Sequence, residues 1–587
     1  LDENRPSMRG LAAPFGLSYV PGQWLESIQV SKGLSSVNNG AESITGQINM
    51  EYRKPTDEKP LFLNASVMND TKTDFNVASS LQMGEKWSTV LLGHVSGNFR
   101  TFDHNHDGFM DDPEMFQVNV ANRWLYYGPT GVQVRFGLRA LQDMRKGGQS
   151  GYDHKKYTLS STSPWGSDIV NRQLNTYVKV GVPISADNAK NVAFVADYTL
   201  TDMNLRAGAS KYLATQNSGF FNVLFQDEIN DSHKFTLALG GTADWFSEDF
   251  MRKVVAQKLD PGKTSKAFYN AGVSGEYTFH AGEKFSSILG FRGDWFNGEG
   301  FKAVPRLTLK YSPLEQIVLR ANGGRGLRRA LPVIDNIGVL STGKAFTGAY
   351  SDHLLEDAWT FGGNATFYLP FGASDDTYLS FDYFGTRFAE QMVVDYEHGL
   401  NAVDFYALGG KRSYSNNYQV DFNIEAFRRF TVSATFRYTD AKVELEGRGL
   451  VERPMTSRYK GVLNLQYATN LNKWIFDFTA SVNGKSRVYE FMKGLRGDDG
   501  ELLYKDGYTP VYPLLYLQVT KRFKGVDLYL GAENLTNFRQ KNLVIGTAIE
   551  GMSGHVDASR PDFDASAVWG PIMGTKFYLG ARFTLWK

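Results

Sequence analysis

The run Asp103-His104-Asn105-His106-Asp107-Gly108-Phe109-Met110-Asp111-Asp112-Pro113-Glu114 places oxygen donors at metal-ligand spacing. It fits D-x-[DN]-x-[DN]-G-x5-E: side-chain oxygens at Asp103, Asn105, Asp107, Asp111 and Glu114, a main-chain carbonyl at Phe109, and Gly108 for the sharp turn. Hard oxygen ligands at this spacing suit Ca2+, because Mg2+ demands tighter octahedral geometry and keeps more water. The plain alternative is an acidic surface loop that holds no ion. His104 and His106 fall at non-ligand positions. The flanks, 87–99 and 116–127, read as strands, so the loop would cap a hairpin and a bound Ca2+ would stiffen it rather than catalyse. A second acidic stretch, Asp498-Asp499-Gly500-Glu501 with Asp506-Gly507, lacks the spacing and reads as a solvated loop.

Other chemistry is thinly supported. Gly262-Lys263-Thr264 and Gly484-Lys485-Ser486 lack the earlier glycine of a phosphate-binding loop, having Gln257 and Thr479 there, and neither H-E-x-x-H nor G-x-S-x-G occurs. The reading is of a protein that is not an enzyme. His154, His353, His398 and His555 fall in expected outer loops; haem or metal ligation is open to them, though scattered exposed histidines are the commoner state.

The elements that must carry these residues are strands. With Cys at 0 there is no disulfide framework or thiolate site, and a net charge of +1 gives no polyanion-binding excess and no case for a nucleic-acid partner. No stretch approaches the ~18 apolar residues of a membrane-spanning helix. Mean hydropathy is −0.34, yet aromatics reach 14% and glycines number 59. A transmembrane barrel has this profile, since only one face of each strand is apolar while girdles raise Tyr, Phe and Trp.

From residue 61 onward the period is two. Val132, Val134, Phe136, Leu138 and Ala140 oppose Gln133, Arg135, Gly137 and Arg139; Phe430, Val432, Ala434, Phe436 and Tyr438 oppose Thr431, Ser433, Thr435 and Arg437. Val526, Leu528, Leu530 and Ala532 oppose Asp527, Tyr529 and Gly531 in the same way. A soluble sandwich would also alternate. Connection length separates the two: short turns at 84–86, 128–130, 231–233 and 428–429 alternate with long loops at 101–114, 145–170, 252–266 and 445–459, as in outer-membrane barrels. Hairpin counting gives about 22 strands over 61–587, a number typical of barrels with a plugged lumen. The first 55 residues behave differently. Gly10, Pro14, Gly16, Pro21 and Gly22 punctuate loops, followed by a short strand at 24–30 and a glycine-framed turn. No signal peptide opens the chain, which begins Leu1-Asp2-Glu3-Asn4-Arg5.

Three segments resemble TonB-dependent outer-membrane receptors. Leu25-Glu26-Ser27-Ile28-Gln29-Val30-Ser31-Lys32-Gly33, then Gly40 and Ile44-Thr45-Gly46-Gln47-Ile48-Asn49, looks like the C-terminal half of the family's plug, with Leu34 where proline is common and Gln47 where an aliphatic is usual. Leu319-Arg320-Ala321-Asn322-Gly323-Gly324-Arg325-Gly326-Leu327-Arg328 is similar to a mid-barrel segment, and Gly531-Ala532-Glu533-Asn534-Leu535-Thr536-Asn537 to one in the penultimate strand.

The resemblance implies an all-β membrane protein in the bacterial outer membrane: a 22-stranded antiparallel transmembrane β-barrel over 61–587, with a partial N-terminal plug domain over 1–55 inside the lumen. The plug's amino half, which holds the segment the motor grips, is absent from this sequence. The resemblance further implies active import of a scarce bulky nutrient, driven by the TonB–ExbB–ExbD motor. Outer-membrane lipid surrounds such a barrel, and a surface lipoprotein can assist capture. A cobalamin-type corrinoid is the first expectation for the small-molecule cargo, a ferric siderophore or haem the second, an oligosaccharide less favoured; a passive porin or surface adhesin is the reading from another class. Plug residues Met8, Arg9, Phe15 and Tyr19 are the candidate cargo contacts, with packing against the barrel wall as the competing role.

Overall fold

The computed structural model describes residues 8–585 apart from 57–58, 105, 160–163, 186, 188, 398, 400, 498, 542 and 547–556. Strands from Leu61–Met68 to Lys576–Leu585 form one closed antiparallel barrel of 22 strands. Two further short strands, Gln257–Leu259 and Gly449–Glu452, extend hairpins above it. The last strand closes on the first, with Leu585 opposite Leu61 and Tyr578 opposite Met68, leaving no edge.

Alternation decides which face meets what. Along Gln133–Gly148, Phe136 and Leu138 are exposed on the outside, while Gly137 and Arg139 are buried within. Along Val526–Glu533, Leu528 and Leu530 face out and Tyr529 faces in, its hydroxyl donating to Asn64 Oδ1 at 2.8 Å. Inside, Asn64, Asn76, Asn119, Asn175 and Asn222 are at most 2% exposed. Outside, rings stand bare: Phe301 is 63% and Trp295 61% exposed. A surface of this kind is stable against hydrocarbon and not against water, so the barrel spans a membrane.

Aromatic rings gather in two belts. At the short-turn end lie Trp87, Trp124, Tyr126 and Phe136, with Phe427, Phe430 and Tyr467 further round. Nearer the long-loop end Phe361, Tyr383, Tyr418 and Tyr438 form a second run. Tyr418 and Phe427 share the strand Ser413–Phe427. Nine residues at ~3.3 Å each, tilted by ~40°, separate the belts by about 23 Å, close to the ~25 Å apolar band of such barrels.

The strands are longer than spanning requires. His233–Val254 has 22 residues against a need of ~9–11, so the wall rises above the membrane there. The expected loop at 252–266 is therefore mostly strand, because Asp249 to Lys263 pairing carries the ladder upward; the loop expected at 145–170 shrinks to 149–165 for the same reason. Two long outer connections fold on each other. Ala345–Gly348 pairs parallel with Ala402–Ala407, which pairs antiparallel with Met392–Asp395, over an apolar core of Ile334, Leu340, Phe346, Val403 and Phe405.

Residues 8–53 lie in the lumen. A two-stranded sheet, Leu25–Lys32 with Gly46–Tyr52, is their only regular element besides short 3-10 turns. Trp24 is buried against Phe62, Val90 and Leu92 of the wall. Leu11, Tyr19 and Ala41 are buried against the wall as well, and the other ties are polar. Arg306 donates to the carbonyls of Ser35, Ser36 and Ala41 at 2.8, 3.1 and 3.1 Å; Arg123 donates to those of Tyr52 and Arg53; and Lys32 pairs with Asp382 at 2.9 Å. The glycines of the mid-barrel segment let this plug approach. A Cβ on Gly326 would sit 2.1 Å from the Ser43 carbonyl oxygen, and one on Gly324 2.8 Å from Leu34.

Candidate functional site

The floor of an outward-facing vestibule is made by two plug loops, Ala13–Pro14 and Ile44–Thr45, and its walls by outer connections of the barrel. Its larger lobe holds about 840 Å³ and its smaller about 320 Å³; Ala13, Ile44, Thr45, Arg328 and Asp335 line both. Volumes of this size suit a small-molecule ligand.

Arg328 occupies the junction. The strand Ile317–Arg329 delivers it opposite Glu356 of Leu355–Tyr368, where its Nε donates to Glu356 Oε2 at 3.0 Å and its Nη2 to Asp335 Oδ2 at 2.5 Å. Asp335 closes a one-turn helix, Pro332–Asp335, and also accepts from the Leu331 N–H. Next to it Arg329 pairs with Glu299 at 3.1 Å and lies over the Phe268 ring.

The far wall of the larger lobe is aromatic and ionic. Tyr396 and Tyr489 stack with centroids 5.1 Å apart. Burial works against the Glu397 carboxylate, yet hydrogen bonds and charge from Arg487, the Glu490 N–H and Arg448 hold it below its ordinary pKa. Lys344 lies over Phe491 and donates to the Tyr396 carbonyl; its pKa is lowered by burial, against the pull of Asp564.

The four expected cargo contacts divide. Met8 and Arg9 line the smaller lobe. Arg9 grips both oxygens of Asp244 at 2.8 Å and Glu42 at 2.5 Å, so its charge is already matched. Phe15 stacks on Tyr19 and lies under Arg145. Tyr19 is buried against Leu141 of the wall. These two rings pack the plug to the barrel and do not line either lobe.

The acidic hairpin loop is folded by its own carboxylates. Asp103 accepts from the N–H groups of Asp107 and Gly108, Asp107 from Phe109, and Asp111 from the main chain and ring of His104. Gly108 has φ +83, the left-handed turn the spacing calls for. Glu114 pairs with Lys146 at 2.9 Å, and Phe109 bridges to Gln149. Among the described residues no three acidic or histidine side chains converge on one point; Asn105 lies outside them. Of the four loop histidines, His353 is buried between Phe246 and Phe268, His154 opens an exposed 3-10 turn, and His398 and His555 lie outside the described residues.

Arg328 ends the mid-barrel segment singled out above, Ile44 and Thr45 belong to the plug segment, and Met8 and Arg9 are among the expected contacts, so part of the vestibule carries a sequence signal. Tyr396, Arg453 and Tyr489 have none, because only the loop fold brings them together.

No family model matches the sequence, and no curated protein matches it. Solved structures do. The siderophore receptor PirA from Pseudomonas aeruginosa shares 12% identity at a TM-score of 0.64, over 97% of this chain and 88% of that one. The ferric-catecholate import receptor Fiu from Escherichia coli K12 shares 12% at 0.67, over 94% and 85%. A variant of the ferric enterobactin receptor PfeA from Pseudomonas aeruginosa shares 13% at 0.67, over 97% and 86%. All three are receptors rather than enzymes, and at this identity what they share with this chain is the fold of a plugged outer-membrane receptor barrel.

Proposed function

We propose that this protein is a TonB-dependent receptor of the bacterial outer membrane that imports a ferric siderophore. The observation that carries this reading is the vestibule itself: a ligand-sized cavity open to the long loops and floored by a plug that is bonded into the wall. A passive porin has no use for such a floor. The corrinoid expectation gives way to the siderophore alternative, because the structural neighbours named above are siderophore receptors. Import through an occluded barrel needs work, which the TonB–ExbB–ExbD motor would supply by pulling on the plug. The test is uptake of radio-iron from a siderophore panel by cells with and without the gene, and with and without TonB. Growth rescue on limiting cobalamin without any iron phenotype would restore the corrinoid reading; liposome swelling by small sugars would replace both with a porin.

The plug proposed over 1–55 is the C-terminal half of a family plug. Ile28, Val30 and Ile48 support this, being 58, 65 and 49% exposed on a sheet face inside the lumen, where a further plug segment would cover them. Calcium is proposed for the hairpin loop through Asp103, Asn105, Asp107, Asp111, Glu114 and the Phe109 carbonyl. The turn at Gly108 supports it, although Glu114 must leave Lys146 to join the others. Titration calorimetry with calcium should give heat that Asp107→Ala abolishes; no heat, or equal heat in the variant, removes the ion.

A further inference from the structure

Building on the siderophore reading, we infer that the cargo is an uncharged or cationic iron chelate of the hydroxamate class, not a multiply anionic catecholate. The vestibule's lining cations are Arg9, Arg328, Arg329, Lys442 and Arg453. Its lining carboxylates are Glu42, Asp244, Asp335, Glu356, Asp395 and Glu397. Five against six leaves the described lining with no surplus of positive charge, Glu397 being matched by Arg448 and Arg487 behind it.

Four of these five cations are also paired. Arg9 holds Asp244 and Glu42, Arg328 holds Asp335 and Glu356, Arg329 holds Glu299, and Lys442 stands 3.5 Å from Asp440. Ferric iron bound by three singly charged hydroxamates is neutral; bound by three doubly charged catecholates it is a trianion. A trianion entering this cavity would lose its water, find no surplus of positive charge, and have to draw most of the cations from partners they already hold. A neutral chelate meets none of these costs. Its alkyl spacers suit the apolar part of the lining, which includes Phe388, Met392, Val393 and Met455 beside the stacked Tyr396 and Tyr489.

The test uses the full chain in detergent and quenching of its tryptophan fluorescence by four chelates: ferrichrome and ferrioxamine B for the hydroxamates, ferric enterobactin and its linearised trimer for the catecholates. At least one hydroxamate should bind ten-fold or more tightly than either catecholate. Added salt should narrow the gap by screening repulsion. Asp335→Asn with Glu356→Gln moves the lining by two charges and frees Arg328, and should improve catecholate affinity at least ten-fold; heat-modifiable migration on gels establishes that this variant is folded. A catecholate binding as tightly as the best hydroxamate to the unaltered protein overturns the inference and leaves the siderophore reading standing. Quenching by none of the four at millimolar concentration removes the siderophore reading, and this inference with it.

Discussion

Arg306→Met asks what holds the plug in place. Methionine keeps the length and the apolar stem of Arg306, which is 5% exposed, and removes its donors to Ser35, Ser36 and Ala41. Hydrogen bonds to a charged group contribute ~1.5–3 kcal/mol each, so three would total roughly 5–9. That sum is too high here. The Ala41 carbonyl keeps the Leu327 N–H, and the Ser36 carbonyl keeps that of Asn39, leaving only Ser35 to find water. About 3–4 kcal/mol is the reasonable remainder, which at ~1.4 kcal/mol per decade is a few-hundredfold rise in local opening. Hydrogen–deuterium exchange read by mass spectrometry on peptides spanning 33–46 measures it directly, with the strand Lys190–Ala207 as an internal reference. Exchange at 33–46 should quicken by a hundredfold or more while the reference stays fixed. Acceleration below about fivefold in a folded variant would refute the claim that this guanidinium clamps the plug loop.

Lys32→Met should loosen the plug less, under about tenfold in the same assay, because Lys32 is 35% exposed and exposed pairs contribute only ~0–1 kcal/mol; an effect matching that of Arg306 would break the link between burial and strength. Arg252→Met removes the guanidinium that donates to the Thr342 and Lys344 carbonyls at 2.6 Å each, so limited proteolysis within 330–354 should speed up at least tenfold, and an unchanged rate would show that the loop needs no such anchor. His353 supplies a pH dependence. Burial, with Lys266 and Arg329 nearby, lowers its pKa from the ordinary 6.5 to about 3, outweighing Glu248 at 3.6 Å. Unfolded chain takes up this proton near 6.5 and folded protein only near 3, so the stabilising contribution is complete above 6.5 and is lost as pH falls from there toward 3. Melting temperatures followed from pH 7.5 to 4 should fall less in His353→Phe than in the parent; equal slopes would remove His353 from the account.

The barrel was legible because a membrane wall repeats one physical rule many times. Phe136 beside Arg139, or Leu530 beside Tyr529, states which face meets lipid without any partner being known. The outer loops obey no such rule. Ala345–Gly348 pairs with a strand more than fifty residues on, and nothing local marks either segment for the other. The vestibule inherits that opacity: Arg328 stands in a recognisable segment and strand pairing sets Glu356 opposite it, but Tyr396 and Tyr489 join the same cavity only after the loops fold. Phe15 and Tyr19 left two roles open for a related reason. A buried ring packing a plug to its wall and an exposed ring awaiting cargo are the same residue type in the same glycine-rich setting, and only the position of Leu141 tells them apart.

The character of the plug's contacts bears on how it could move. An apolar core resists displacement because every area exposed costs free energy and water offers nothing in return. Polar ties in a wet lumen behave otherwise: each bond broken is replaced by one to water, and the net loss is a fraction of the gross. This plug is held in both ways, by polar ties through Arg9, Lys32, Arg123 and Arg306 and by apolar anchors at Leu11, Tyr19, Trp24 and Ala41. A pull applied along the chain meets these ties one after another rather than together. The work at each step would then be a few kcal/mol, within reach of the proposed motor, while the barrel's continuous ladder of 22 strands would have to break many bonds at once. Under the proposed import, cargo release into the lumen would follow from the same inequality, since the floor of the vestibule would yield before its walls.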